Sequence, residues 1–426
     1  MLDRNQAPAI QDAVAYSVHL KTLRSFRLRN GIPVYAVKAG PQDVLQVEFV
    51  FDAGNAFERG NLIAASTNYL LKNGTKRLSA FDINDHFEYY GAYLNRNCHH
   101  ETSNLVLHCL NRHLPELLPV LREVLTESVF PQTELDIYRQ NMKQRLAVNL
   151  KKCEFVAGRL IDAYLFGEGH PYGKFSRPED YDALTRDQLL EFYRAHYLQG
   201  RCRIFVAGQL PADVDSLLDQ FFGDLGLSDE AVPPAPATIV SARDRTYRVS
   251  NDPDGVQGAI RLGSLFPNKH HPDYPKAQVL NTVFGGYFGS RLMSNIREDK
   301  GYTYGIHSYL QGFPQSGAWM VSTEAGRDVC ESALKEVYHE MQRLRETPIG
   351  EEELQLVRNY LIGTLLGDLD GPFQIIARWK SLLLQDLGLQ YFDESVRVIK
   401  TIGADELQSL ANKYLLPEKF YELVVI

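Results

Sequence analysis

TRDQLLEFYRAHYLQGRCRIFVAG, residues 185–208, closes the first half of the chain, and GADELQSLANKYLLPEKFYELVVI, residues 403–426, closes the second. Each segment begins with a stretch of helical periodicity and ends in a short apolar run that is typical of a strand. The same order, a helix running into a terminal strand, is therefore predicted twice. A repeat on this scale constrains the fold more strongly than any single element does.

The elements that precede these endings also recur in the same order. Each half contains a strand, then a helical stretch, then strand-like runs, then an amphipathic helix. In the first half these are VLQVEFVFDAG (44–54), NLIAASTNYLLKNGT (61–75), AYLNRNCHHETSNLVLHCL (92–110) and LPELLPVLREVLTESV (114–129). In the second half they are GAIRLGSLF (258–266), YPKAQVLNTVFGGYFGSRLMSNIREDKG (274–301), YTYGIHSYL (302–310), GAWMVSTEAG (317–326) and SALKEVYHEMQRL (332–344).

This order predicts an α+β fold of two homologous halves, each an antiparallel sheet backed by helices, that face one another across a chamber. The stretch GLSDEAVPPAPATIV, residues 226–240, interrupts the periodic pattern with prolines and small residues and is predicted to be a linker. We therefore expect an N-terminal domain at residues 1–225 and a C-terminal domain at residues 241–426.

Composition excludes several classes of partner and site. The 426-residue chain is 44% hydrophobic and 23% charged, which is ordinary for a globular protein, and its net charge is −8. With no cluster of Lys and Arg, neither nucleic acid nor an anionic membrane is expected as the main partner. Its five cysteines are scattered without a Cys-x-x-Cys pair, which indicates reduced thiols. Because the N-terminus lacks a continuous apolar run, a cytoplasmic location is expected.

Four fragments together resemble a known family. They are LRNGIPVYAV (28–37), LLKNGT (70–75), HPYGKFSRPEDYDALTRDQLLEFYRAHY (170–197) and GSRLMSNIREDKGYTY (289–304). In their order and spacing they resemble the pitrilysin/insulinase family of zinc metallopeptidases. The resemblance is to the short-subunit branch, which includes bacterial paired peptidases and the mitochondrial processing peptidase.

The resemblance implies that the zinc site of this family is lost here. Active members carry H-x-x-E-H on the helix before LLKNGT, with two His as zinc ligands and the Glu as general base. Alignment on LLKNGT places Ala65, Asn68 and Tyr69 at those three positions. The third ligand of the family, a Glu, falls at Gln144 or Arg145. A methyl group, a neutral amide and a phenol do not reproduce this chemistry, so no zinc is expected in this chain. Alternatively, these side chains simply pack in the core.

A replacement metal site is not evident in the sequence. The run CHHETS contains three consecutive candidate ligands, but on a strand only His99 and Glu101 would share a face. Two ligands do not make a zinc site. His170, in the loop GEGHPYG, is expected to order that turn.

The second half carries an Arg and a Tyr that the family uses on substrate. In active members, the residues corresponding to Arg297 and Tyr304 hold the carbonyl oxygen of the cleaved bond. A guanidinium and a phenol are suitable donors for an oxygen that gains negative charge. Alternatively, Arg297 pairs with Glu298 or Asp299 and Tyr304 packs on the sheet.

Three functions remain open from the sequence. The first is the non-zinc subunit of a heterodimeric metallopeptidase that cleaves extended peptides, inactive alone, with zinc in a homologous partner that carries H-x-x-E-H. The second is a non-catalytic homodimer that binds peptides or acts as a scaffold. The third is an enzyme of different chemistry, which is disfavoured because no nucleophile and base stand out.

Overall fold

The structure is a computed structural model that describes residues 12–426. Two compact units are distinguished. The N-terminal unit contains residues 21–242 and 371–380, and the C-terminal unit contains residues 12–20, 243–370 and 381–426. A short segment from the second half of the sequence is thus part of the N-terminal unit.

The N-terminal unit is built on a six-stranded sheet with the order β1-β2-β6-β3-β5-β4. Its strands are β1 Arg24–Arg27, β2 Pro33–Lys38, β3 Val44–Phe51, β4 Tyr93–Cys98, β5 Ser103–Leu110 and β6 Cys202–Gly208. Its helices are α1 Ile63–Leu70, α2 Ala80–Tyr89, α3 Leu114–Thr126, α4 Gln132–Asn149, α5 Cys153–Phe166, α6 Pro178–Ala183, α7 Arg186–Tyr193 and α8 Val214–Phe222. One face of the sheet packs on α3 and α8, where the rings of Phe49 and Phe222 lie 4.7 Å apart.

The other face of this sheet is polar and is covered by residues 371–380. The Lys380 ammonium lies 2.7 and 2.8 Å from the two carboxylate oxygens of Glu48, whose side chain is 3% exposed. Asn104 also donates to Glu48, at 2.6 Å. A buried carboxylate needs such partners because its transfer from water is otherwise costly. The segment is therefore held to the sheet by charge as well as by packing.

The C-terminal unit contains a five-stranded sheet with the order β7-β11-β8-β10-β9. Its strands are β7 Thr246–Val249, β8 Gln257–Phe266, β9 Thr303–Gly312, β10 Gly317–Gly326 and β11 Tyr421–Val425. Its helices are α9 Tyr274–Asn281, α10 Cys330–Glu346, α11 Glu351–Gly367, α13 Leu389–Thr401 and α14 Ala404–Tyr414, and α12 Pro372–Leu383 is divided between the units. Trp319 is enclosed in its core and donates to Ser308 at 2.9 Å.

The predicted α+β class, with two sheets backed by helices, is confirmed. The order β7-β11-β8-β10-β9 matches β2-β6-β3-β5-β4 strand for strand. However, each sheet is mixed, because β2 pairs with β6 and β7 pairs with β11 in parallel. The predicted terminal strands, β6 and β11, arrive after α1–α7 and α9–α14 respectively, and such long connections permit parallel pairing.

Two local expectations differ from the structure. The helical stretch expected at residues 61–75 is shorter in the structure, where α1 begins at Ile63 and ends at Leu70. The run CHHETS was expected on a strand, but β4 ends at Cys98 and residues 99–102 form the turn before β5.

Candidate functional site

Helix α1 carries Ala65, Asn68 and Tyr69, the three positions predicted to correspond to H-x-x-E-H, and its start is fixed by a buried ion pair. The Glu58 carboxylate accepts from the Ala64 backbone N–H at 2.8 Å and pairs with Lys174. Burial raises the pKa of Glu58, and Lys174 opposes that shift. Leu62, the residue before the helix, has φ +67°. The Glu58 carboxylate thus holds the backbone of the first turn of α1 in place.

Asn68, at the position of the general base, is part of the core. Its side chain is 2% exposed, and its amide nitrogen donates to the Asn104 carbonyl and to the Tyr197 hydroxyl, each at 3.1 Å. Both donors of the amide are therefore used by the protein. A neutral amide held in this way joins α1 to the sheet and cannot accept a proton from water.

Tyr69, at the position of the second His, is covered by an arginine that the sequence analysis missed. The Arg96 guanidinium carbon lies 4.5 Å from the centroid of the Tyr69 ring, and Arg96 Nε donates to the Tyr69 carbonyl at 2.5 Å. Tyr138 of α4 packs on the same phenol at 4.8 Å between ring centroids. Arg96 follows Leu94 by two residues on β4, so alternation along the strand places both on one face.

The remaining positions of the zinc site do not supply ligands either. Ala65 is half-buried and offers a methyl group, and Gln144 and Arg145 are exposed on α4. Within residues 12–426, no three His, Cys, Asp or Glu side chains are grouped as a metal site would require. The residues present therefore do not fit a zinc ion.

The other candidate histidines are engaged in packing. His100 lies 5.2 Å from Tyr172 between ring centroids, and burial lowers the pKa of His100 to about 4. Glu101 accepts from the Tyr172 hydroxyl at 2.5 Å. His170 accepts from the Tyr172 backbone N–H at 3.1 Å, so it orders its own turn, as expected. These groups stabilise the loop around Tyr172.

Arg297 and Tyr304 lie together in the C-terminal unit. Arg297 is in the helical turn Met293–Asp299, and Tyr304 is near the start of β9. The Arg297 guanidinium carbon is 5.2 Å from the Tyr304 ring centroid and 4.6 Å from that of Phe288. Among the described residues, no carboxylate forms an ion pair with Arg297, and this includes its neighbours Glu298 and Asp299.

Tyr304 is turned outward by an irregularity in the sheet. β9 is an edge strand, and its register with β10 shifts between Thr323 and Ala325. The Thr303 hydroxyl stabilises this bulge by donating to the Glu324 carbonyl at 2.6 Å. A bulge re-aims the side chain beside it. Tyr304 is accordingly 91% exposed rather than packed on the sheet face.

The segment that precedes Arg297 contains one exposed aromatic residue, Phe288, next to buried residues. Phe284 is fully buried, whereas Phe288 is 59% exposed and covers Arg297. Three residues after Phe288, Arg291 donates two hydrogen bonds to Glu353, at 2.8 and 2.9 Å, and so holds this segment in place. The sequence analysis did not identify Phe288, whose contact with Arg297 depends on the turn between them.

The described residues include no helix with the length and apolar character that crossing a membrane requires.

The two family models that match the chain together cover most of it. The model described as "Insulinase (Peptidase family M16)" matches residues 34–169, which include all five positions of the degenerate zinc site. The model described as "Peptidase M16 inactive domain" matches residues 183–361, which include Arg297 and Tyr304.

Known proteins resemble the chain over nearly its whole length. An "Uncharacterized zinc protease" of Rickettsia felis is 23% identical over 404 residues, covering 91% of this chain and 93% of that protein. The solved structure of a peptidase M16 inactive domain from Pseudomonas fluorescens has a TM-score of 0.84 at 22% identity and covers 95% of this chain and 98% of its own. A protease from Helicobacter pylori has a TM-score of 0.85 at 17% identity, with 96% and 100% covered. By fold, matching family models and full-length relatives, this chain belongs to the insulinase family of peptidases, family M16.

Proposed function

We propose that this chain is the non-zinc subunit of a heterodimeric metallopeptidase that cleaves extended peptides. A homologous H-x-x-E-H subunit would supply the zinc and the attacking water. In this chain, Arg297 and Tyr304 would bind the carbonyl oxygen of the bond to be cleaved. The observation that carries the proposal is that Arg297 has no carboxylate partner within residues 12–426 while it lies between two exposed aromatic rings.

The geometry suits a donor for a developing negative charge. A guanidinium that is already neutralised by a carboxylate would bind an oxyanion weakly, whereas an unpaired one retains its charge for the ligand. The two rings restrict the guanidinium plane without using its N–H donors, because a cation–π contact engages the face of the group. The phenol of Tyr304 then adds a second donor beside the first.

The decisive experiment uses the complex rather than the isolated chain. The tagged chain is purified from its native cells, a co-purifying H-x-x-E-H protein is identified, and the pair is reconstituted with a fluorogenic peptide as substrate. Tyr304→Phe should lower kcat by roughly 100- to 1,000-fold with a smaller change in KM, as when one oxyanion donor is removed. Arg297→Lys should not restore activity, because it lacks the planar fork.

A matched control is available on the same strand. Tyr309 lies on β9 as well, and Tyr309→Phe should leave kcat within about twofold. If the double variant Arg297→Ala with Tyr304→Phe cleaves at the wild-type rate, the pair is structural. Recovery of only a homodimer without peptidase activity in any fraction would favour the alternative, a non-catalytic peptide-binding or scaffold protein. The cytoplasmic location stays a prediction that cell fractionation can check.

A further inference from the structure

Arg96 places a positive charge beside Tyr69, one of the positions predicted to correspond to the lost zinc motif. It projects from edge strand β4 toward the last turn of α1, over the ring of Tyr69. One of its donors, Nε, is used by the Tyr69 carbonyl at 2.5 Å. This bond satisfies a carbonyl at the carboxyl end of the helix, where a cation is also favourable. The contact explains the position of Arg96 but uses only one of its five N–H donors.

In the part of the chain that the structure describes, no Asp or Glu forms an ion pair with Arg96 or balances its charge. Burial lowers the pKa of Arg96 and also that of Lys72, and the two cations oppose each other. Lys72 donates to the Asn84 side chain at 3.0 Å, and the acid that acts on it is the exposed Glu88. A half-buried guanidinium beside a second cation is an unfavourable arrangement unless an anion binds there.

We propose that the degenerate zinc site is a carboxylate site, in which the terminal amines of Arg96 bind a carboxylate group of a peptide while the Tyr69 ring supports the guanidinium. The planar fork of arginine matches a carboxylate with two parallel hydrogen bonds. Lys72 adds longer-range attraction for the same charge. The inference rests on the N-terminal unit alone and holds whether or not Arg297 and Tyr304 act in catalysis.

Two sources could supply the carboxylate, the C-terminus of a peptide or an acidic side chain. Three N-acetylated pentapeptides of one neutral sequence separate them: a free acid, a C-terminal amide, and an amide in which the central residue is glutamate. Binding to the isolated chain is measured by calorimetry at pH 7 and low ionic strength. We expect at least one carboxylate peptide to bind roughly 10- to 100-fold more tightly than the neutral amide, because a charge-assisted pair is at stake.

Two variants test the assignment to Arg96. Arg96→Met keeps the length of the side chain but removes the charge, and it should abolish the difference between the peptides. Arg194→Met removes one charge from an exposed position of the same unit and should leave the difference intact. Equal binding of acid and neutral peptides by the wild-type chain, or no binding of any at millimolar concentration, would overturn the proposal. So would a difference that persists in Arg96→Met.

A measurement on the wild-type chain removes the dependence on a foldable variant. Phenylglyoxal modifies accessible arginines, and mass spectrometry locates the modified residues. The tighter carboxylate peptide should protect Arg96 at least about fivefold and should not protect Arg194. Equal modification of Arg96 with and without the peptide would show that this side chain serves only to hold the end of α1.

Discussion

On α1, the Asn68 side chain is 2% exposed and donates two hydrogen bonds to the protein, whereas in the C-terminal unit Tyr304 is 91% exposed and Arg297 has no carboxylate partner within residues 12–426. The resemblance to active members of the family predicts that both places correspond to catalytic positions. In the first, the polar group has become part of the core. In the second, the polar groups remain available to a ligand. Whether a polar group is satisfied by its own protein thus distinguishes a structural position from one that is still free to bind a ligand.

The largest expected effect tests whether the Asn68 side chain has a structural role. Asn68→Asp has nearly the same shape but replaces the donor amide with an oxygen that faces the Asn104 carbonyl. An unpaired, buried carboxylate should cost about 3 kcal/mol or more of unfolding free energy, measured by urea denaturation. Asn141→Asp, an exposed position on α4, is the matched control and should change it by less than about 0.5 kcal/mol. A small effect at Asn68 would show that α1 is not held in the way described.

A second expected effect concerns pH and the histidines that could have been ligands. His100 has a pKa of about 4 in the folded chain because burial disfavours its charged form, against about 6.5 when unfolded. The unfolded state therefore binds more protons, and stability falls as pH drops from about 6.5 toward 4. At pH 5 the contribution lost is about 2 kcal/mol. His100→Gln should remove that part of the pH dependence, and His339→Gln, at an exposed position, should not. Parallel curves for His100→Gln and wild type would contradict the assignment.

A third expected effect is both structural and functional, because it concerns the backbone that orients the Tyr304 side chain. The Thr303 hydroxyl donates to the Glu324 carbonyl at 2.6 Å and accepts from the Gly305 N–H at 3.1 Å. Thr303→Val removes these bonds and the one that the Thr303 hydroxyl accepts from the Thr323 hydroxyl at 2.8 Å, and it should cost about 1 kcal/mol or more of unfolding free energy. Turnover of the reconstituted complex should also fall, because the Tyr304 side chain no longer points in the same direction. Thr303→Ser keeps the hydroxyl and should restore both, and a failure to do so would assign the loss to the methyl group.

The sequence predicted the fold class because the repeated order of elements survives in the pattern of apolar residues. It also predicted that Ala65, Asn68 and Tyr69 occupy the positions of the zinc motif, since LLKNGT lies on the same short segment, and this assignment stays a prediction. Arg96 could not be found in this way, because it lies on a strand and meets Tyr69 only through packing of the helix on the sheet. Phe288 was missed for a similar reason, because a turn of the backbone brings it over Arg297. Contacts within an element follow from spacing, whereas contacts between elements do not.

The smallest expected effect on unfolding free energy is that of Tyr304→Phe, and it tests most sharply whether the Tyr304 hydroxyl is available to a ligand. The Tyr304 side chain is 91% exposed and its hydroxyl forms no hydrogen bond with any residue of the described range, so Tyr304→Phe removes nothing that the folded chain uses. Its unfolding free energy should stay within about 0.5 kcal/mol of wild type. The same change should cost turnover roughly 100- to 1,000-fold in the complex. Tyr197→Phe provides the opposite control, because that hydroxyl accepts from Asn68 in the core and its loss should destabilise the N-terminal unit by about 1 kcal/mol. Destabilisation by Tyr304→Phe of a similar size would mean that the phenol is structural, and the contrast between the two regions would then fail.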